Sequence, residues 1–380
     1  MSLFGKNKNI EPEIVAVFDI GSGVVSAALV EINKNIKPTI LVSVSEDILS
    51  AQEMSFGELF GATESAIYRL SQKLLLEKRS APNSVYCFLS SPWYAGQTRI
   101  IKLSKQKEFE FTKKIWQDLL EKESKKFLDK TVSVDADAVL IEKKNMSVTL
   151  DGQKTMSPLG VKVKSVELSV FFSISSGNVL KAFRHSIERS FSVPVEFSSF
   201  MFSSFITVRD LFHKKELSSL VIDIGSKITE IGIVEDDVLT SIASFPFGLQ
   251  SIEHSIMDTF DVSKTETQSL LSIYNKGKME SSRSKKIKNI VSKEIDTWYT
   301  MFTKTIDSFK TNDIPHNVYI LIDEGMESLF DFDKRMKIVD GAMLPIHIID
   351  GKTFSSYVRL VDVKHRNPFL MLESLFITRI

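Results

Sequence analysis

One tripeptide occurs twice in the chain, Asp19-Ile20-Gly21 and Asp223-Ile224-Gly225, and each copy ends an apolar run that reads as a buried strand. The runs are Ile14-Val15-Ala16-Val17-Phe18 and Leu220-Val221-Ile222. A small polar turn follows each, then a second apolar strand, Ser26 to Ile32 in the first copy and Glu230 to Val234 in the second. A hairpin of this kind aims backbone N–H groups and one carboxylate at a common spot, which suits a phosphate chain with its metal ion. Asp and Gly also serve ordinary turns, so a single copy would say little. Two copies in matched contexts, about 200 residues apart, point to a duplicated, two-lobed α/β fold.

The length allows it, because 380 residues exceed what one ordinary core organises. A hydrophobic share of 43% and a charged share of 25% are those of a folded globular chain. Lys plus Arg balance Asp plus Glu at 48 each. No net field draws nucleic acid or anionic lipid, and no nucleic-acid partner is expected. The single Cys87 cannot form an internal disulfide and points to a reducing compartment. Met1 to Lys8 lacks the apolar stretch of a signal peptide, and no run approaches a membrane span. The expectation is a cytoplasmic protein. Six His residues are scattered, and no Ser/His/Asp, Cys/His or metal-ligand spacing stands out.

Helical periodicity through Leu59, Phe60, Thr63, Ala66, Ile67, Leu70 and Leu74 predicts an amphipathic helix. Strands follow at Val85 to Leu89 and near Thr98 to Leu103, then a helix through Ile115, Trp116, Leu119, Leu120 and Phe127. Residues 132–174 alternate as strands, with a hairpin around Asp151-Gly152. We read 84–174 as a small α+β unit inserted in a first lobe made of 13–83 and 175–213. A second lobe spans 217–366, and a last helix, 367–380, returns to the first. In the second lobe, Arg283, Lys285, Lys286 and Lys288 open a long helix with an inner stripe of Ile287, Val291, Ile295, Trp298 and Phe302. That basic cluster reads as a solvated helix face. A late strand, Asn317 to Ile322, runs into Asp323-Glu324-Gly325.

In this order the elements resemble the actin-like ATPase superfamily (the ASKHA fold). Within it, the unit at 84–174 looks like the inserted SHS2-type subdomain of the branch that holds the cell-division protein FtsA and the pilus-assembly protein PilM. Ser157-Pro158-Leu159-Gly160-Val161 is similar to the FtsA segment that closes this subdomain. Phe245-Pro246-Phe247-Gly248 matches the branch's turn after the second hairpin, and Asn367-Pro368-Phe369 through Phe376 looks like its last core helix. The resemblance implies ATP with Mg²⁺ as cofactor. Asp19, Gly21, Ser22 and Gly23 would hold the phosphates from one lobe, and Asp223, Gly225, Ser226 and Lys227 from the other. Gly248 and Gly325 would lie beside the nucleotide, and Asp19 and Asp223 would organise the metal through water.

The chain also departs from the pattern. Lys227 stands where many relatives have a further glycine, and Asp323-Glu324 replace glycines of the adenosine turn. The Glu and Lys that relatives direct at ribose and base fall at Gln268 and Leu271, with Glu266 as a substitute. Neither hairpin offers a group to orient an attacking water. No catalytic residue is assigned, so weak ATP binding and negligible turnover are expected. The leading functional expectation is an FtsA-like adaptor of bacterial cell division that meets a tubulin-like division protein or polymerises with itself. The alternative is a PilM-like cytoplasmic scaffold recruited by a short peptide of a pilus membrane protein. The end of the chain at Arg379-Ile380, directly after the core helix, favours that alternative. A small-molecule kinase of the superfamily is a third reading, but it lacks an evident catalytic carboxylate. In the first two the membrane is met only indirectly, at its inner face, through partners. Trp93 and Tyr94 follow Pro92. Loop aromatics more often pack beneath their own strands than stand exposed, but aromatic anchors dominate partner contacts. The hypothesis taken forward puts Trp93 or Tyr94 at a docking edge of the inserted unit.

Overall fold

The computed structural model describes residues 12–33, 36–48, 54–77, 81–132, 136–212, 218–309, 315–336, 344–361, 363 and 366–379. The leader reading at Met1 to Lys8 and the final Ile380 fall outside them. The first lobe opens with β1 (Glu13–Ile20), β2 (Val24–Ile32), β3 (Thr39–Asp47), α1 (Phe56–Leu76) and β4 (Ser84–Leu89). An inserted unit follows, with β5 (Ala95–Glu110), α2 (Lys113–Val132), β6 (Ala138–Leu150), β7 (Gln153–Lys154) and β8 (Lys162–Ser176). The chain returns through α3 (Gly177–Glu188), β9 (Val195–Ser199) and α4 (Phe200–Phe212). The second lobe holds β10 (Ser218–Ile224), β11 (Thr229–Glu235), β12 (Val238–Phe245), α5 (Leu249–Phe260), α6 (Lys264–Asn275) and α7 (Ser281–Ser308). It continues with β13 (Asn317–Leu321), α8 (Phe332–Arg335) and β14 (Ile346–Ile349), before β15 (Arg359–Leu360) and α9 (Pro368–Ile377).

The duplication is visible in the pairing. β1 runs antiparallel to β2 and parallel to β4, and β10 runs antiparallel to β11 and parallel to β13. The sheets are ordered β15-β3-β2-β1-β4-β9 and β12-β11-β10-β13-β14. Central strands covered on both faces lose the polar alternation of half-buried ones. Every residue of β10 is accordingly buried. In the second lobe the core gathers around Trp298, whose ring meets Phe245, Phe302, Phe330 and Phe332. Its indole N–H donates to Thr229 Oγ1 at 2.9 Å, tying α7 to the strand that leaves the second turn. In the first lobe α9 is buried along almost its whole length. Asn367 caps it by accepting from the Phe369 and Leu370 N–H groups, with Pro368 in the first turn, where a missing N–H costs nothing.

Two expectations need correction. β4 pairs with β1 from Val15↔Ser84 to Ile20↔Leu89 and so belongs to the first-lobe sheet. The inserted sheet, ordered β5-β8-β6-β7, starts only at Ala95. Apolar content marks β4 as a strand, but pairing decides its sheet. Second, Trp93 and Tyr94 are only 2% and 7% exposed. The segment that leaves a central strand between two lobes has no outer face on which to display a ring. The inserted unit touches both lobes. Glu142 accepts from the Ser199 N–H at 3.1 Å, beside the first-lobe edge, and Thr98 Oγ1 donates to the Leu239 carbonyl in the second lobe. Among the described residues, no helix is long and apolar enough to cross a membrane.

Candidate functional site

Asp19 lies near the end of β1 and Asp223 near the end of β10, and both line one chamber between the lobes, with Gly21, Ser22, Gly225 and Ser226. The two turns close alike. Gly21 N–H donates to Val24 O and Gly225 N–H to Ile228 O, each at 3.1 Å. The start of α5 anchors the second turn, because Leu249 N–H reaches Gly225 O at 3.0 Å and Gln250 N–H reaches Ser226 O at 2.8 Å. Gly248 is pressed against those same two carbonyl oxygens, where a Cβ would overlap them, so only glycine fits.

The turns also touch each other. Lys227 N–H donates to Ser22 Oγ at 3.2 Å, and a Cβ on Gly23 would stand 2.5 Å from Ser226 Oγ. The chamber between them holds about 70 Å³. Next to it lies a cavity of about 1380 Å³, walled by β3 and by the turn from Asp323 to Ser328, which includes Gly325. Lys264 of α6 reaches across to Asp47 of β3 at 2.9 Å. Gln268 lines this cavity. The other two base-directed candidates do not serve. Leu271 is 1% exposed in the second-lobe core, and Glu266 is engaged in the capping box of α6 with Ser263.

Hairpin register places Glu230 directly across from Asp223, whereas Asp19 faces Ser26 in the first copy. Glu230 is 2% exposed, lines the chamber, and accepts from Tyr94 Oη–H and, at 3.4 Å, from Ser91 N–H. Carboxyls thus crowd a poorly hydrated space. Desolvation, helped by the charge of Asp323, lifts Asp19 to about 8. Burial and then the charges of Glu230, Asp19 and Asp323 push Asp223 well above the usual carboxylate range. Burial raises Glu230 to about 7. Asp323, exposed on its cleft side but closely surrounded by protein, is desolvated up to about 6, with Glu253 and Asp47 adding to the rise and Lys264 opposing it. Glu373 of α9 is fully buried, with no hydrogen-bond partner on either oxygen, and is raised too.

Asp223 Oδ1 is buried without a hydrogen-bond partner, and such an orphaned acceptor beside Asp19 fits a hydrated divalent cation. Among the described residues, no three His, Cys, Asp or Glu side chains converge on a direct metal site. Mg²⁺ would therefore be held through waters and phosphate oxygens, as bound Mg²⁺ commonly is. When bound it would supply the positive charge this cluster lacks. The base side fits less well. Glu324 is paired with Lys352 at 3.1 Å, and Asp323 adds a further carboxylate at the cavity wall. MgATP is accordingly expected to bind no more tightly than micromolar, with negligible phosphate release. Calorimetric titration and a phosphate-release assay check this, and a sub-micromolar affinity would contradict it.

The sequence reading missed Glu230, although counting outward from the turn, 224 with 229 and then 223 with 230, finds it. Ser91, Trp93 and Tyr94 carry no such signal, since their place depends on how the lobes meet.

The two-lobed fold with its inserted unit is shared with a solved structure. The chain superposes on PilM of the PilM–PilN type IV pilus biogenesis complex with a TM-score of 0.66 at 14% identity, covering 96% of this chain and 97% of that one. Weaker matches are the ethanolamine utilization protein EutJ from Carboxydothermus hydrogenoformans (TM-score 0.44, 11% identity, 97% and 89% covered) and a Bacteroides thetaiotaomicron protein with an actin-like ATPase fold (0.41, 8%, 96% and 96%). No protein-family model matches the chain, and no curated protein is similar to it.

Proposed function

We propose that this chain is a PilM-like scaffold of type IV pilus assembly, held at the inner face of the membrane by a protein partner, rather than an FtsA-like division adaptor. The end-to-end likeness to PilM, inserted unit included, carries this reading. The partner in this proposal is an extended cytoplasmic segment of a pilus membrane protein. A groove of about 840 Å³ suits it, walled by Met146, Val148 and Met156 of the inserted unit, Arg209 and Arg379 of the first lobe, and Asp236 at the tip of the β11–β12 hairpin. β6 is paired with β8 on one side, whereas on the other it meets β7 at Thr149 and Leu150 and gives its Val148 carbonyl to the Thr155 N–H, leaving the edge before Val148 open to a partner. Such an edge accepts an added strand, with neighbouring apolar side chains giving specificity. A tubulin-like partner and self-polymerisation have no comparable support.

The test is capture by the full chain, from detergent-solubilised membranes and in a two-hybrid assay, of pilus inner-membrane proteins against a tubulin-like division protein. Capture of the division protein alone would return the reading to FtsA. Met156 is 99% exposed, so Met156→Glu is expected to leave the melting temperature within about a degree, since exposed substitutions stay near ±0.5 kcal/mol. It should weaken capture about tenfold or more if the side chain anchors the peptide. Unchanged capture would move the docking site off this groove.

A further inference from the structure

Among the described residues, the chamber between the turns is lined by Asp19, Asp223, Glu230 and Asp323 and by no Lys, Arg or His. Glu230 is occupied by Tyr94 and Ser91. Asp223 is not satisfied: it is 4% exposed, lines the chamber, and its Oδ1 is buried with no hydrogen-bond partner. A buried acceptor left in this way costs stability until a donor reaches it.

The acidic character continues outward. Asp323, Val24, Ser26 and Asn367 line both the chamber and the cavity of about 1380 Å³ beside it, so the two spaces adjoin. That cavity adds Asp47, Glu77, Glu324 and Glu327 to its walls, and one of its few cations, Lys352, is taken up by Glu324. The cleft also shows how it receives an ammonium group. Lys264 Nζ sits between Asp47 and Glu253, at 2.9 and 3.8 Å, with its side chain only 18% exposed.

We propose that this cleft binds an aliphatic polyamine, one terminal ammonium entering the chamber to meet Asp223 and the rest of the chain lying along the acidic cavity. This binding stands apart from the pilus reading.

An ammonium brings three N–H donors on a methylene stem that lies readily against apolar surface. Asp223 Oδ1 is the unmet acceptor, Asp19 lines the same space, and Val24, Ile228 and Phe369 provide apolar wall. A bare metal ion is served less well, because among the described residues no three His, Cys, Asp or Glu side chains converge. A phosphate group would meet four carboxylic side chains with no basic residue of the lining to offset them. The later ammonium groups of a polyamine are spaced by methylenes. They match carboxylates strung along a cavity, from Asp323 to Glu324 and Glu327, better than a single charge does.

Calorimetric titration of the full chain with spermidine tests this at pH 8.5, where amines of ordinary value, about 10, are charged. Salt at about 0.15 M screens diffuse surface attraction. Saturable one-to-one binding with a dissociation constant below about 1 mM is expected, at least about tenfold tighter than magnesium chloride or N-acetyl-lysine amide. Asp223→Asn keeps the shape, removes the charge, and should weaken binding by about tenfold or more. Glu121→Gln, on the exposed face of α2, should leave it unchanged. Should Asp223→Asn fail to fold, Asp323→Asn, at an exposed position of the cleft, takes its place with the same expected loss. The proposal is overturned by absence of saturable binding, or by undiminished binding in the cleft variant. Magnesium chloride binding as tightly as spermidine would make this an inorganic cation site, and N-acetyl-lysine amide doing so would make it a lysine-peptide site. Either overturns it, as does an equal loss in Glu121→Gln, which would reduce the effect to surface charge.

Discussion

Trp93→Ala is expected to lower the unfolding free energy by about 3–5 kcal/mol, the usual cost of truncating a buried Trp. The ring is in van der Waals contact range of Phe183, with centroids 5.3 Å apart and near-perpendicular planes, and is also close to Phe56 at 5.8 Å. Its N–H is used by the Gly21 carbonyl, so alanine both opens a cavity and strips that oxygen of its donor. Urea unfolding of the variant beside wild type gives the number from the shift in midpoint at constant slope. A loss below about 1 kcal/mol would mean that the first lobe closes over the gap, and that the bond to Gly21 adds little to the first turn. Trp93→Phe should cost less, since most of the contact surface remains. The contrast with Met156→Glu is instructive: both residues are large and apolar, but only the buried one should register in stability.

That contrast also marks what was legible in the residues. The two Asp-Ile-Gly hairpins could be read because a strand covered on both faces is a run of Val, Ile, Leu and Phe, and because the turn repeats. The stripe Ile287, Val291, Ile295, Trp298 and Phe302 gave α7 its buried face for the same reason, a fixed period that burial enforces. The sheet membership of β4 was not legible, since Val85 to Leu89 reads identically whether β1 or β8 lies beside it. Trp93 and Tyr94 were misjudged because a ring after a proline looks like loop decoration until the second lobe is brought down on it. Glu230 lay within reach of register counting. Its chemical character was not, because it arises from burial where the lobes meet, beside Tyr94 and Ser91 from a distant part of the chain.

The same crowding sets the dependence on pH. Asp19, Asp223, Glu230 and Asp323 all have folded-state values above those of the unfolded chain. Between the two values the folded state binds more protons than the unfolded one, so stability falls as pH rises through that window. Stability from this cluster is therefore fully present below about pH 4 and lost progressively up to about pH 8, where Asp19 titrates. One pKa unit corresponds to about 1.4 kcal/mol, so between pH 5 and pH 8 Asp19 alone contributes a loss on the order of 4 kcal/mol. Carboxylates with lowered values, Glu46, Glu58, Asp151 and Glu266, titrate below this range and do not offset it. Scanning calorimetry of the nucleotide-free protein at pH 5.5, 7 and 8.5 should show a falling melting temperature. Asp19→Asn, neutral at every pH, should flatten that slope and be the more stable form at pH 8.5. Mg²⁺ favours the ionised carboxylates, so it should restore more stability at pH 8.5 than at pH 5.5. A melting temperature that rises or stays level with pH would mean that water enters the chamber and hydrates these carboxylates. The turns would then rest apart, with space already open for phosphate between Gly23 and Ser226.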